Sequence, residues 1–153
     1  MTRPGGSRSG AVSSRGTAPD PDPFRFEVQG EPVPQGSMRR GAHGTLFHVR
    51  GPALTKWRKA IAASARVGSP TATSETFAGA LRVSVVFRVP KPVSVRRALP
   101  SVRPDLDKLG RAVLDALTGV LYADDGQVVE LVLSKRYDSV PGATVEVSVV
   151  HVP

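Results

Sequence analysis

The chain has 153 residues, 40% of them apolar, enough for one domain around a single core. It contains no cysteine, which excludes a disulfide framework and a Cys-ligated zinc site, and no run of eighteen apolar residues that could cross a membrane as a helix. A formal net charge of +8 points to an anionic partner.

Residues 1–22 are rich in Gly, Ser, Pro and Arg and almost free of large apolar side chains. Such a stretch cannot bury enough surface to offset the entropy of ordering, so a disordered basic tail is expected there, with the folded domain over 23–153. The tail lacks the apolar segment of a secretory signal, which fits a cytoplasmic protein.

Phe24, Phe26 and Val28 alternate with Arg25, Glu27 and Gln29, the pattern of a half-buried strand. A Pro- and Gly-rich turn, 30–36, leads to Arg39 and Arg40, a loop over 41–44 and a short strand over 45–49. Leu54, Trp57 and Ile61 share one face of a helix predicted over 53–67, which places Trp57 in the core. Arg39, Arg40, Arg50, Lys56, Arg58 and Lys59 give this region six basic residues and no acid, the electrostatic footprint of phosphate binding.

A strand over 77–89 turns Leu81, Val83, Val85 and Phe87 to one side. It ends at Pro90 in a long loop that carries Lys91, Arg96, Arg97 and Arg103 without an acid. Beyond a helix, Val129, Leu131 and Leu133 alternate with Val128, Glu130 and Val132 in a strand over 127–137. A second strand over 144–152 follows the turn at 139–142, and these two are expected to pair as a hairpin. The sum is an α+β fold: a mostly antiparallel sheet of four or five strands with two main helices on one face.

The helix between these strands is flanked by acids. Five of the chain's 13 acidic residues fall between Arg103 and Gln127. Pro104 disfavours helical dihedrals at Arg103, and Asp105 is a favoured N-cap, so the helix should begin near Leu106. Leu106, Leu109, Ala112, Val113, Ala116 and Leu117 form its buried stripe, and Gly119 suits a left-handed C-terminal cap. The acids have ordinary structural uses: Asp at a helix start, i,i+4 pairs of Arg111 with Asp107 and Asp115, and an Asp-Asp-Gly turn. They also have a chemical one. If Val120 to Tyr122 runs back along the helix as a strand, Asp124 and Asp125 return toward Asp105 and Asp107. Two carboxylates about 4 Å apart repel by about 4 kcal/mol at an effective dielectric near 20, so converging acids need a cation. Oxygen ligands of this kind suit Mg²⁺ or Mn²⁺.

The string Arg-Pro-Asp-Leu-Asp-Lys-Leu-Gly-Arg-Ala-Val-Leu-Asp-Ala-Leu-Thr-Gly, followed by Tyr-Ala-Asp-Asp-Gly-Gln-Val-Val, resembles the RusA family of Holliday-junction resolvases. The likeness is close over 103–137 and weaker over 24–66. It implies a Mg²⁺-dependent endodeoxyribonuclease, Mn²⁺ being a second candidate, that acts as a homodimer on branched DNA. Its catalytic residues would be Asp105, Asp107, Asp125 and Arg111, and its metal ligands Asp105, Asp107 and Asp125 with Asp124 adjacent. Arg111 stands where the family usually has Lys, which keeps the charge but not the proton-donating capacity. DNA backbone contacts are expected from Arg39, Arg40, Arg96, Arg97, Arg103 and Lys108. Two rivals share the basic segments: a junction- or duplex-binding protein that needs no acids, and a metal-dependent nuclease for other branched DNA or RNA.

Overall fold

The computed structural model describes residues 22–36, 38–44, 46–48, 51–69 and 76–152, of which 38, 39 and 46–48 are described by backbone alone. The expected tail lies outside these apart from Asp22, as does Arg50. Strand β1 spans Phe24–Gln29, β2 Met38–Arg40, β3 Leu46–His48, helix α1 Gly51–Val67, β4 Leu81–Val89, α2 Leu106–Leu117, β5 Val128–Tyr137 and β6 Gly142–Val149.

The alternation read from the sequence in β1 and β4 forms the core, joined by β6. Phe26 and Val28 of β1, Leu81, Val83, Val85 and Phe87 of β4, and Ala143, Val145 and Val147 of β6 are buried beneath the helices. Leu54, Trp57, Ile61 and Ala65 of α1 meet Leu109, Ala112, Val113, Ala116 and Leu117 of α2 in the same cluster. The opposite side of the sheet is polar and stitched by ion pairs: Arg25 with Glu146 at 3.0 Å, Arg82 with Glu130, and Arg88 with Glu27 at 2.9 Å. Arg88 is buried, and its guanidinium also donates to Thr144 Oγ1 at 2.7 Å.

The sheet order is β1-β6-β4-β5. Strands β1, β6 and β4 pair antiparallel, whereas β4 and β5 pair parallel, so the sheet is mixed rather than mostly antiparallel. The expected hairpin of the last two strands does not form. Strand β4 lies between β5 and β6, because α2 carries the chain back over the sheet and lets β5 run alongside β4. A register shift between Leu81 and Arg82 accommodates an extra residue at the start of β5. It leaves Val129 exposed and turns Val128 toward the core, reversing the alternation expected there. Strands β2 and β3 form a separate two-stranded ribbon; the first of them is too short to announce itself by alternation.

Candidate nuclease site

Helix α2 positions both groups of acids. It begins at Leu106 as the sequence predicts, with Asp105 as N-cap, yet the Asp105 side chain caps nothing. Its carboxylate instead lies 3.3 Å from Lys108 Nζ. Asp107, one residue into the helix, is exposed and makes no hydrogen bond or ion pair among the described residues. The loop that delivers Asp105 is held from below: Lys135 Nζ, on β5, donates to Val102 O at 2.6 Å and to Pro104 O at 2.8 Å. Lys135 sits opposite Phe87 on the core side of the sheet, where its strand neighbours are apolar.

At the other end, α2 stops as expected at a left-handed Gly119, with φ of 76°. Val120 to Tyr122 is then a turn rather than a strand along the helix, with Tyr122 in isolated bridges to Phe77 and Thr118. The Tyr122 hydroxyl donates to Leu114 O at 3.0 Å. Burial, and after it the charge of Asp125, push the phenol well above its ordinary value. The next residues form a tight acidic turn. Asp124 Oδ1 accepts from Gly126 N at 2.6 Å, and Gln127 Oε1 accepts from the amides of Ala123 and Asp124 in a capping box. The Gln127 amide donates in turn to Phe77 O and Gly79 O, pinning the turn to the start of β4. Asp124 is therefore occupied as a cap, whereas Asp125 is exposed, its backbone carbonyl accepting from Val128 N–H and its carboxylate making no hydrogen bond or ion pair among the described residues.

Asp105 and Asp107 thus lie at one end of α2, and Asp124 and Asp125 at the other. A helix of 12 residues spans about 18 Å, so the two groups do not meet within one chain. Among the described residues no set of three or more His, Asp or Glu side chains is close enough to hold a metal ion. The expected return of the acidic turn fails because the turn at Val120 to Tyr122 buries Leu121 and Tyr122 under the helix end and feeds β5 from there.

The basic residues divide likewise. Gln35 N donates to Lys108 O at 2.9 Å, so the ribbon bearing Arg39 and Arg40 springs from beside the first turn of α2. Arg40, Arg96, Arg103 and Arg111 are exposed. Arg97 Nε donates to Tyr137 Oη at 3.3 Å, and Lys91 Nζ lies 5.6 Å above the same ring, tying the long loop to the end of β5. Arg58 is not free for DNA: it bonds Asp115 at 2.5 Å and Gln35, and so takes the acid expected to pair with Arg111. Sequence reasoning missed the roles of Lys135, Gln127 and Arg58. Lys135 did carry a signal, a cation at the same strand parity as Leu131 and Leu133.

A protein-family model described as endodeoxyribonuclease RusA matches residues 29–148. The chain is also 35% identical over 130 residues to an uncharacterized protein, YqaN, of Bacillus subtilis (strain 168), a match covering 78% of this chain and 92% of the relative. The matched region contains both groups of acids, the ribbon, β4, β5 and all of β6 but Val149, and of β1 only Gln29. By this likeness the chain belongs to the RusA family of endodeoxyribonucleases, enzymes that resolve Holliday junctions.

Proposed function

We propose that this protein is a Mg²⁺-dependent homodimeric nuclease that resolves four-way DNA junctions by paired, symmetric nicks. The observation that carries the reading is the state of its acids. In a chain of net charge +8, Asp107 and Asp125 have no cationic partner among the described residues, and Asp105 declines the cap bond its position offers. The free carboxylates of Asp107 and Asp125, and that of Asp105 held only by Lys108 at 3.3 Å, suit a hard cation that takes one or two carboxylates and completes its shell with water and phosphate. Asp105 and Asp107 would hold it, with Asp125 as a further ligand and Asp124 shaping the turn. A bound Mg²⁺ would supply Lewis acidity at the scissile phosphate and lower the pKa of a coordinated water.

The chain's own residues do the rest. Lys135 fixes the loop that presents Asp105, and Gln127 fixes the turn that presents Asp125. Arg111, one turn beyond Asp107 in α2, balances charge on the phosphate. Arg39, Arg40, Arg96 and Arg103 track the DNA backbone, with Lys108 and Arg97 at its margin. Contacts of this kind position a protein without reading sequence. The homodimer belongs to the reading on two grounds: paired nicks need two symmetric sites, and among the described residues of one chain no three acids come together.

Incubation with labelled four-way junction, flap, linear duplex and hairpin RNA tests this reading. Cleavage of the junction alone, lost on chelation and restored by Mg²⁺, is expected. Junction that shifts in a gel but stays uncut with either Mg²⁺ or Mn²⁺ would contradict it and favour a binding module.

A further inference from the structure

We propose that Arg58 is a positioning residue of the nuclease site: by holding Asp115 it keeps that carboxylate off Arg111 and leaves the Arg111 guanidinium open to a DNA phosphate. The proposal rests on the role given to Arg111 above; the pairing from which it starts does not.

Asp107, Arg111 and Asp115 follow one another at successive turns of α2, so Arg111 stands between two acids, each within pairing reach. Two i,i+4 pairs are the ordinary outcome of that spacing. Neither forms: Arg111 is exposed, and its guanidinium makes no hydrogen bond or ion pair among the described residues. Asp107 is assigned to the cation, which leaves Asp115 as the carboxylate able to occupy Arg111.

Arg58, on the neighbouring helix, holds it instead. Its Nη2 donates to Asp115 Oδ2 at 2.5 Å and to Gln35 Oε1, and its Nε is buried without a partner among the described residues. The head group is therefore seated between α1, α2 and the stem of the ribbon, not swung into solvent. The side chains of the pair are 32% and 31% exposed, whereas Arg111 lies in open solvent, where water screens its attraction. A second bond and partial burial thus decide the competition for Asp115 in favour of Arg58. Without Arg58, Asp115 has a cation one turn away on its own helix. The helix then pairs with itself, and the phosphate loses a contact.

Substitutions that separate charge from pairing test this. Arg58→Met keeps an unbranched side chain in the contact between α1 and α2. It should lower the slope of log affinity against log salt for junction DNA by about 1, measured without Mg²⁺, and slow cleavage at saturating junction about tenfold. Asp115→Asn alone should cut at the wild-type rate. Added to Arg58→Met, it should restore both slope and rate, because no carboxylate remains to claim Arg111. Arg58→Met with Glu146→Gln has the same net charge, its second change lying on the polar side of the sheet, and should restore neither. Arg58→Lys, whose ammonium still pairs with Asp115, should keep most of the activity. In an Arg111→Ala chain, Arg58→Met should change nothing further. Should Arg58→Met unfold, Arg58→Gln takes its place in every arm. A double variant with Asp115→Asn as impaired as Arg58→Met overturns the proposal, since Arg58 then braces the helices or touches DNA itself. So does rescue by Glu146→Gln, which leaves only net charge, or a full loss from Arg58→Met in the Arg111→Ala chain. If wild type binds junctions and cuts none, the nuclease reading falls, and the salt slopes alone decide the role of Arg58.

Discussion

Asp124 and Asp125 are neighbours with different duties. The first spends its carboxylate on Gly126 N within a capping box, and the carboxylate of the second has no hydrogen-bond or ion-pair partner among the described residues. Asp124→Ala should therefore cost about 1 kcal/mol of stability by urea titration and retain cleavage at low temperature. Asp125→Asn should leave stability unchanged within about 0.5 kcal/mol and abolish cleavage. Lys135 acts through Asp105 rather than on substrate. Replacing it with Met should free the Val102 and Pro104 carbonyls, lowering the cleavage rate by about tenfold, roughly 1.4 kcal/mol, while junction binding in a gel shift changes little. Tyr122 gives a pH dependence of known sign. Its phenol ionises more readily in the unfolded chain, near the ordinary value of 10.0, than in the buried site, so the native state holds its proton longer. Its contribution is complete below that value and is lost as pH rises beyond it. Tyr122→Phe should flatten the fall in thermal midpoint above about pH 10.

At the scale of elements, helix α2 was legible almost to the residue. Pro104, Asp105, the apolar stripe and Gly119 each act locally, and local chemistry fixes both ends of a helix. The buried faces of β1 and β4 were legible for the same reason. Strand order was not, because alternation says which side of a strand is buried and nothing about its neighbour. Hence the expected hairpin of 127–137 with 144–152 gave way to a β4-α2-β5 crossover. The destination of the acidic turn was illegible on the same ground: it depends on where β5 starts, a tertiary fact. Gly110 is a point of close approach in that crossover. A Cβ there would run into the Leu133 methyl groups as they stand, so the missing side chain lets α2 and Leu133 pack without either giving way. Gly110→Ala should be nearly neutral, its gain in helix propensity offsetting a shift of the Leu133 methyl groups. Gly110→Val should cost about 1 to 3 kcal/mol in urea titration as the helix is wedged away.

For the molecule as a whole, the charge of +8 and the position of the ribbon and long loop beside the start of α2 place Asp105 and Asp107 inside an electropositive surround. Binding dominated by phosphate contacts should weaken linearly in log affinity against log salt. Arg40→Ala and Arg103→Ala should each lower that slope by about 1, for all DNA sequences alike. The decisive measurement is on a four-way junction labelled in turn on each of its four strands, with Mg²⁺ present. Wild type is expected to nick two opposed strands at symmetric positions, and Asp125→Asn to shift the junction as tightly while nicking neither. Asp125→Asn cutting at the wild-type rate would contradict the account.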